Sequence, residues 1–164
     1  MAAEIEMKIR GLMLDSSTNT PIVILKDAEG KRVLPIWVGM YEANAIALEI
    51  EKISAPRPMT HDLVRNLFLG MDCRLRKVVV NELKDDTFYA LVWLERQGGE
   101  LMVLDARPSD ALALALRMDC PIFVADEVLR SSKVAAAAAD PGASAELRRW
   151  LENLGEEDTG RYKM

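Results

Sequence analysis

Residues 8–50 can be laid over residues 74–116 at a constant offset of 66, with no gap. Predicted strand then falls on strand, turn on turn and helix on helix. Identical residues are few: Arg10/Arg76, Leu25/Leu91, Glu29/Glu95, Ala45/Ala111, Ala47/Ala113 and Leu48/Leu114. These identities do not prove a duplication. The gapless match of two β-β-β-α patterns is the stronger constraint, because it requires one supersecondary plan to serve twice.

Each half reads the same way. Glu4 to Arg10 alternates polar and apolar residues, as a half-buried strand must, and Leu12 to Leu14 continue it. A polar turn cluster at 15–20 leads to a strand from Pro21 to Lys26. The glycine-containing turn 27–31 then leads to a third strand, Val33 to Val38, in which Pro35 demands an edge position or a bulge. YEANAIALEIEKI is rich in helix formers, with Ile46, Ile50 and Ile53 predicted on one apolar face. Pro56 and Pro58 end it. Thr60 reads as the N-cap of a second helix, His61 to Leu69, with Asp62 in its first turn and Gly70 as its stop. The second half gives strands at Cys73 to Leu83, Phe88 to Glu95 and Leu101 to Leu104, then a helix PSDALALALRM starting at Pro108. A short strand, Pro121 to Val124, and one helical turn, Asp126 to Leu129, follow. The expected fold is an internally duplicated α+β domain over residues 1–132, with flanking helices and a mostly antiparallel sheet that can close into a barrel. Residues 133–164 read as an alanine-rich linker, a short C-terminal helix (144–154) and a mobile tail.

At 164 residues, half of them apolar, the chain can bury a single core without disulfides or metal. Cys73 and Cys120 lack metal-knuckle spacing. MAAEIEMKIRG has no apolar signal core, and no apolar run approaches a membrane span. A cytoplasmic protein with reduced thiols is the expectation. The net charge of −5 argues against an indiscriminate nucleic-acid binder. Residues 57–77 nonetheless lean basic, with Arg57, Arg65, Arg74, Arg76 and Lys77 against Asp62 and Asp72.

Two polar clusters could carry chemistry. RPMTHD (57–62) lies between the two helices of the first half, and DARPSD (105–110) lies between a strand and a helix. Both put charged groups at a helix N-terminus, where backbone N–H groups favour a phosphate and arginine adds a bidentate fork. Each also has a plain structural reading: caps and first-turn carboxylates for Asp105, Pro108 and Asp110, a strut for Arg107, and a surface position for His61. Glu42 and Asn44 open the first helix and can be an ordinary polar face. No phosphate-binding loop, dinucleotide fingerprint or Ser-His-Asp motif occurs.

LPIWVGMYEANAIALEIEK, RPMTHDLVRNL and LDARPSDALALALRMDCPIFVADEVL, in that order, resemble the bifunctional nuclease domain family over roughly residues 5–130. The resemblance implies cleavage of both RNA and DNA. A ribose 2′-hydroxyl cannot then be an obligatory nucleophile, so water must be activated. On this reading His61 is a candidate general base or acid. Glu42, Asp62, Asp105 and Asp110 are candidate catalytic carboxylates that could hold Mg²⁺ or Mn²⁺. Arg57 and Arg107 are candidate phosphate clamps, and Ser109 a phosphate donor or a cap. The two clusters are expected in one cleft, within a chain or across a dimer interface. RNA and DNA are the expected substrates, with no membrane partner, and a homo-oligomer, a dimer first, is the expected assembly. The alternatives are a non-catalytic nucleic-acid or nucleotide-binding module and a regulatory interaction module.

Overall fold

The computed structural model describes residues 3–132. The alanine-rich stretch and the C-terminal helix expected from the sequence lie outside the described residues. The elements run β1 (Glu4–Leu14), β2 (Pro21–Asp27), β3 (Val33–Trp37), α1 (Met40–Ile50), α2 (Thr60–Gly70), β4 (Arg74–Lys84), β5 (Thr87–Glu95), β6 (Leu101–Ala106), α3 (Pro108–Met118), β7 (Ile122–Ala125) and α4 (Asp126–Ser131). No helix among the described residues is long and apolar enough to cross a membrane.

The strands form one open seven-stranded sheet in the order β3-β2-β1-β7-β4-β5-β6. It does not close into a barrel: β3 and β6 are its two edges. Pro35 sits in edge strand β3, where its missing N–H does least harm. The order is symmetric about β7. Because β1 pairs with β7 antiparallel and β4 pairs with it parallel, β1 and β4 run in opposite directions. The two β-β-β-α units are thus related by a pseudo-two-fold axis through β7, perpendicular to the sheet. The 66-residue offset carries α2 onto α4 and carries β7 back onto 56–59. Only one strand can occupy the axis, and Pro56 and Pro58 disqualify the first copy because neither can donate to a ladder.

Strand alternation sorts the side chains. Leu25, Leu34, Val78, Val80, Val92 and Leu94 join Ile46, Leu112 and Val128 of α1, α3 and α4 in one core cluster, so these helices cover one face. On the opposite face Met13, Ile22, Ile24 and Val33 form a smaller buried cluster.

Three helix ends differ from the sequence reading. Helix α1 stops at Ile50, not Ile53: Lys52 turns left-handed at φ 55 while the Ile53 N–H reaches the Leu48 carbonyl at 2.9 Å. This terminating bond pattern takes Ile53 off the apolar face. Ile46 is fully buried, but Ile50 and Ile53 are 43% and 41% exposed. Helix α2 ends in the same way. Asp72, not Gly70, takes the left-handed conformation, and the Cys73 N–H bonds the Phe68 carbonyl. At the other end of α2, Met59 and not Thr60 is the cap, and Asp62 reaches back to its N–H at 2.9 Å.

This packing predicts a contrast between two truncations. Leu112→Ala should cost about 2–5 kcal/mol, the usual range for a core leucine, whereas Ile53→Ala should stay within about 0.5 kcal/mol. Urea unfolding of both variants measures the difference, and a comparable loss for Ile53→Ala would contradict the helix end described.

Candidate functional site

The three longest helices meet at their polar positions. Helix α3 presents Arg107 at its N-cap, Asp110 in its first turn and Arg117 near its end. Spacings of three and seven residues keep these on one side of the helix. Helix α1 contributes Glu42 and Glu49, and α2 contributes His61 and Asp62.

The outer part of the site is a linked set of ion pairs. Arg107 donates to Asp110 through Nε at 2.9 Å and Nη2 at 3.2 Å, and to Glu42 Oε1 through Nη1 at 3.0 Å. Three of the guanidinium's five N–H groups are thereby used, which leaves two for an incoming acceptor. The Arg107 side chain is 64% exposed. His61 Nε2 lies 2.8 Å from Asp110 Oδ1, with the ring only 14% exposed. When Nε2 donates to the carboxylate, the neutral ring carries its lone pair on Nδ1. Burial works to raise the Asp110 carboxyl, but the bonds and charges of Arg107 and His61 outweigh it and hold its pKa below the ordinary value. The Asp110 and Glu42 carboxylates push the Arg107 pKa up. Gly39, just before α1, leaves room for this arrangement: a Cβ there would run into the Glu42 carboxylate.

The inner part is a clamp that the sequence reading overlooked. Arg117 is 2% exposed in its side chain. It donates to Asp62 Oδ1 at 2.9 Å, to the Ala113 carbonyl at 3.0 Å and to the Ala45 carbonyl at 3.1 Å. One guanidinium therefore ties α3 to α2 and α1. An arginine inside the apolar run ALALALRM was the available signal, because a buried charge must find partners. The Met59 N–H, opposed by burial and helped by Arg117, holds the Asp62 carboxyl below its ordinary pKa.

The structure therefore brings together Glu42, His61, Asp62, Arg107 and Asp110, and the two polar clusters meet through His61 and Asp110. It does not bring Asp105 to them. Asp105 pairs with Leu91 in the β6–β5 ladder, and that row points away from the core face carrying Ala90 and Val92. Directly paired residues share a face, so Asp105 lies on the side of the sheet opposite the helices. Arg57 is exposed and makes no hydrogen bond or ion pair with a described residue. Ser109 is buried, which suits a first-turn helical residue better than a group reaching a phosphate. Asp62 has both oxygens engaged, one on a backbone N–H and one on Arg117. Among the described residues no three His, Cys, Asp or Glu side chains are placed to hold a metal ion. Glu42 and Asp110 already spend oxygens on Arg107, so as arranged they do not form a cation cage. Cys73 and Cys120 are free thiols, and burial pushes the Cys120 pKa up to about 12.

The charged forms of Asp62 and Asp110 are favoured by folding, since both carboxyls titrate below their ordinary value. The stability they add is present above the unfolded-chain value of about 3.9 and is lost as pH falls through the lower folded values. Asp62→Asn should therefore lower the urea midpoint at pH 6 and flatten its fall between pH 5 and pH 2. An equal slope in wild type and variant would remove Asp62 from the acid transition.

A family model, the Bifunctional nuclease domain, matches residues 23–137. An uncharacterized protein of Mycobacterium tuberculosis is 41% identical over 124 residues, covering 76% of this chain and 73% of its own. Bifunctional nuclease 1 of Oryza sativa subsp. indica is 30% identical over 112 residues, 67% of this chain and 34% of the plant protein. Bifunctional nuclease 1 of Arabidopsis thaliana is 28% identical over 107 residues, 63% and 33% of the two chains. The chain thus spans about a third of these plant relatives. The family match spans β3 to β7 and every residue of the ion-pair cluster, and the chain belongs to the bifunctional nuclease domain family.

Proposed function

We propose that the chain hydrolyses phosphodiester bonds of RNA and DNA at the Arg107–Asp110–His61 cluster. The observation that carries this reading is the shared carboxylate. Asp110 orients both an exposed guanidinium with two N–H groups not bonded to a described residue and a histidine whose second ring nitrogen is unengaged among the described residues. Arg107 binds the non-bridging phosphate oxygens and offsets the charge that builds on them. His61 Nδ1 takes a proton from a water as its oxygen attacks phosphorus. The bond to the leaving ester oxygen breaks, and that oxygen takes its proton from solvent. Glu42 fixes the position of Arg107, and Asp62 holds α2 in place through Arg117. The proposal assigns no step to Asp105, Arg57 or Ser109.

Purified protein would be assayed on labelled RNA and DNA with Mg²⁺, with Mn²⁺ and with EDTA. His61→Ala and Asp110→Asn should each lower turnover by about a hundredfold or more, the scale of an acid–base group. Asp105→Asn, prepared identically, should cleave like wild type. Loss that depends on EDTA would add a divalent ion to the reaction. Equal cleavage by all the proteins would trace the activity to a contaminant. Salt-sensitive binding without turnover would favour the non-catalytic binding module, a reading supported by the Arg107 bonds that already occupy Glu42 and Asp110.

Self-association has a surface available. Met59, Leu63, Leu67 and Met71 recur every four residues along α2 and are all exposed. Sedimentation should give a mass above the 18.3 kDa of one chain, falling to it for Leu63→Glu/Leu67→Glu. A monomeric wild type would end this part of the proposal.

A further inference from the structure

Tyr41 is 90% exposed, more than any other large apolar side chain among the described residues. It stands in the first turn of α1, one residue before Glu42, whose carboxylate is bonded to Arg107. No hydrogen bond or ring contact engages it within the described residues. Its backbone is nevertheless held firmly, because Ala43, Ile46 and Ala47 of the same helix are buried. The result is a flat aromatic ring, open on its faces, presented from the first turn of a rigid helix whose next residue, Glu42, holds a guanidinium that keeps two donors free. Water around so large an apolar surface is unfavourable. A ligand suited to both groups carries an anion and a planar ring, and a nucleotide does.

We infer that Tyr41 is a base-stacking residue of the Arg107 site and that it selects unpaired nucleotides. The inference rests on the nuclease reading for the identity of the ligand, though not on turnover. A base inside a duplex has both faces covered by its neighbours, so only an unpaired base can lie on the ring. Stacking is tolerant of sequence because every base has a π-face. It also makes no use of the sugar 2′-position, which fits a site that accepts RNA and DNA alike. The same chemistry could come from a free mononucleotide or from a nucleotide within a strand.

The test is binding of the full chain to fluorescently labelled, phosphorothioate-linked oligonucleotides that resist cleavage, followed by anisotropy. Four probes would be compared: a single-stranded deoxyribo-oligomer, the same strand as a duplex, the same strand made abasic throughout, and a mononucleotide in competition. Wild type should prefer the single strand. Tyr41→Ala should weaken that binding about tenfold or more, within the range measured for loss of one stacked base. Tyr41→Phe should bind like wild type, since the ring and not the hydroxyl does the stacking. Affinity for the duplex and the abasic strand should not change on Tyr41→Ala. Competition by the mononucleotide at concentrations comparable to the strand would assign the site to free nucleotides; weak competition would assign it to strands. Because the side chain is exposed, the melting temperature of Tyr41→Ala should match wild type. Unchanged single-strand affinity in Tyr41→Ala, an equal loss on the abasic strand, or no binding by wild type would each overturn the inference. Cleavage that needs His61 but not Tyr41 would sink this inference alone. Tyr41-dependent binding without cleavage would sink only the catalytic reading.

Discussion

The guanidinium of Arg117 holds the site together. It is buried, and burying a charge is tolerable only when its hydrogen bonds are met. They are met by α1, α2 and α3 at once, through the Ala45 carbonyl, the Asp62 carboxylate and the Ala113 carbonyl. Helix α2 needs this tie more than the others do, because none of its residues is fully buried. Val64 and Phe68 pack against the core from one side, and Leu63 and Leu67 face outward. His61 rides on this lightly anchored helix, so its distance from Asp110 depends on Arg117 as much as on the apolar packing.

Charge is distributed in two layers around that tie. The inner pair, Arg117 and Asp62, is structural, with both carboxylate oxygens engaged. The outer set, Arg107 with Glu42 and Asp110, is open to water on the arginine side. Exposed pairs of this kind add little to stability. They do fix the direction of a side chain, and a group that must meet a phosphate gains from being held in place beforehand. The Asp110 carboxylate joins the layers to the histidine and gives the cluster a defined tautomer to work with.

Much of the architecture was legible in the residues. Alternation placed the strands, and the offset between the halves anticipated two β-β-β-α units. Pro35 marked an edge strand, which it is. Helix ends were less legible. Lys52, Asp72 and Asp119 all adopt the left-handed conformation that glycine is expected to supply, and Gly70 drew attention to the wrong residue. Within the candidate site, the sequence pointed to His61, Asp110, Arg107, Glu42 and Asp62 separately. Asp105 looked equally good because it is two residues from Arg107, but it lies within β6 on the face away from the helices, whereas Arg107 lies past the strand's end at the N-cap of α3. Arg117 was missed because nothing near it in the chain is polar except Asp119; its partners on the other helices are 55 and 72 residues away.

The sequence by itself determined the local order of strands and helices, the class of fold and the kinds of charged residue at each helix start. These follow from periodicity, propensity and turn chemistry, which act over a few residues. Only the tertiary structure decided that β7 inserts between β1 and β4, that the sheet stays open, and that His61 meets Asp110 across 49 residues of chain. Those outcomes depend on which surfaces bury one another and which buried charges find partners, and such contacts have no fixed spacing along the chain.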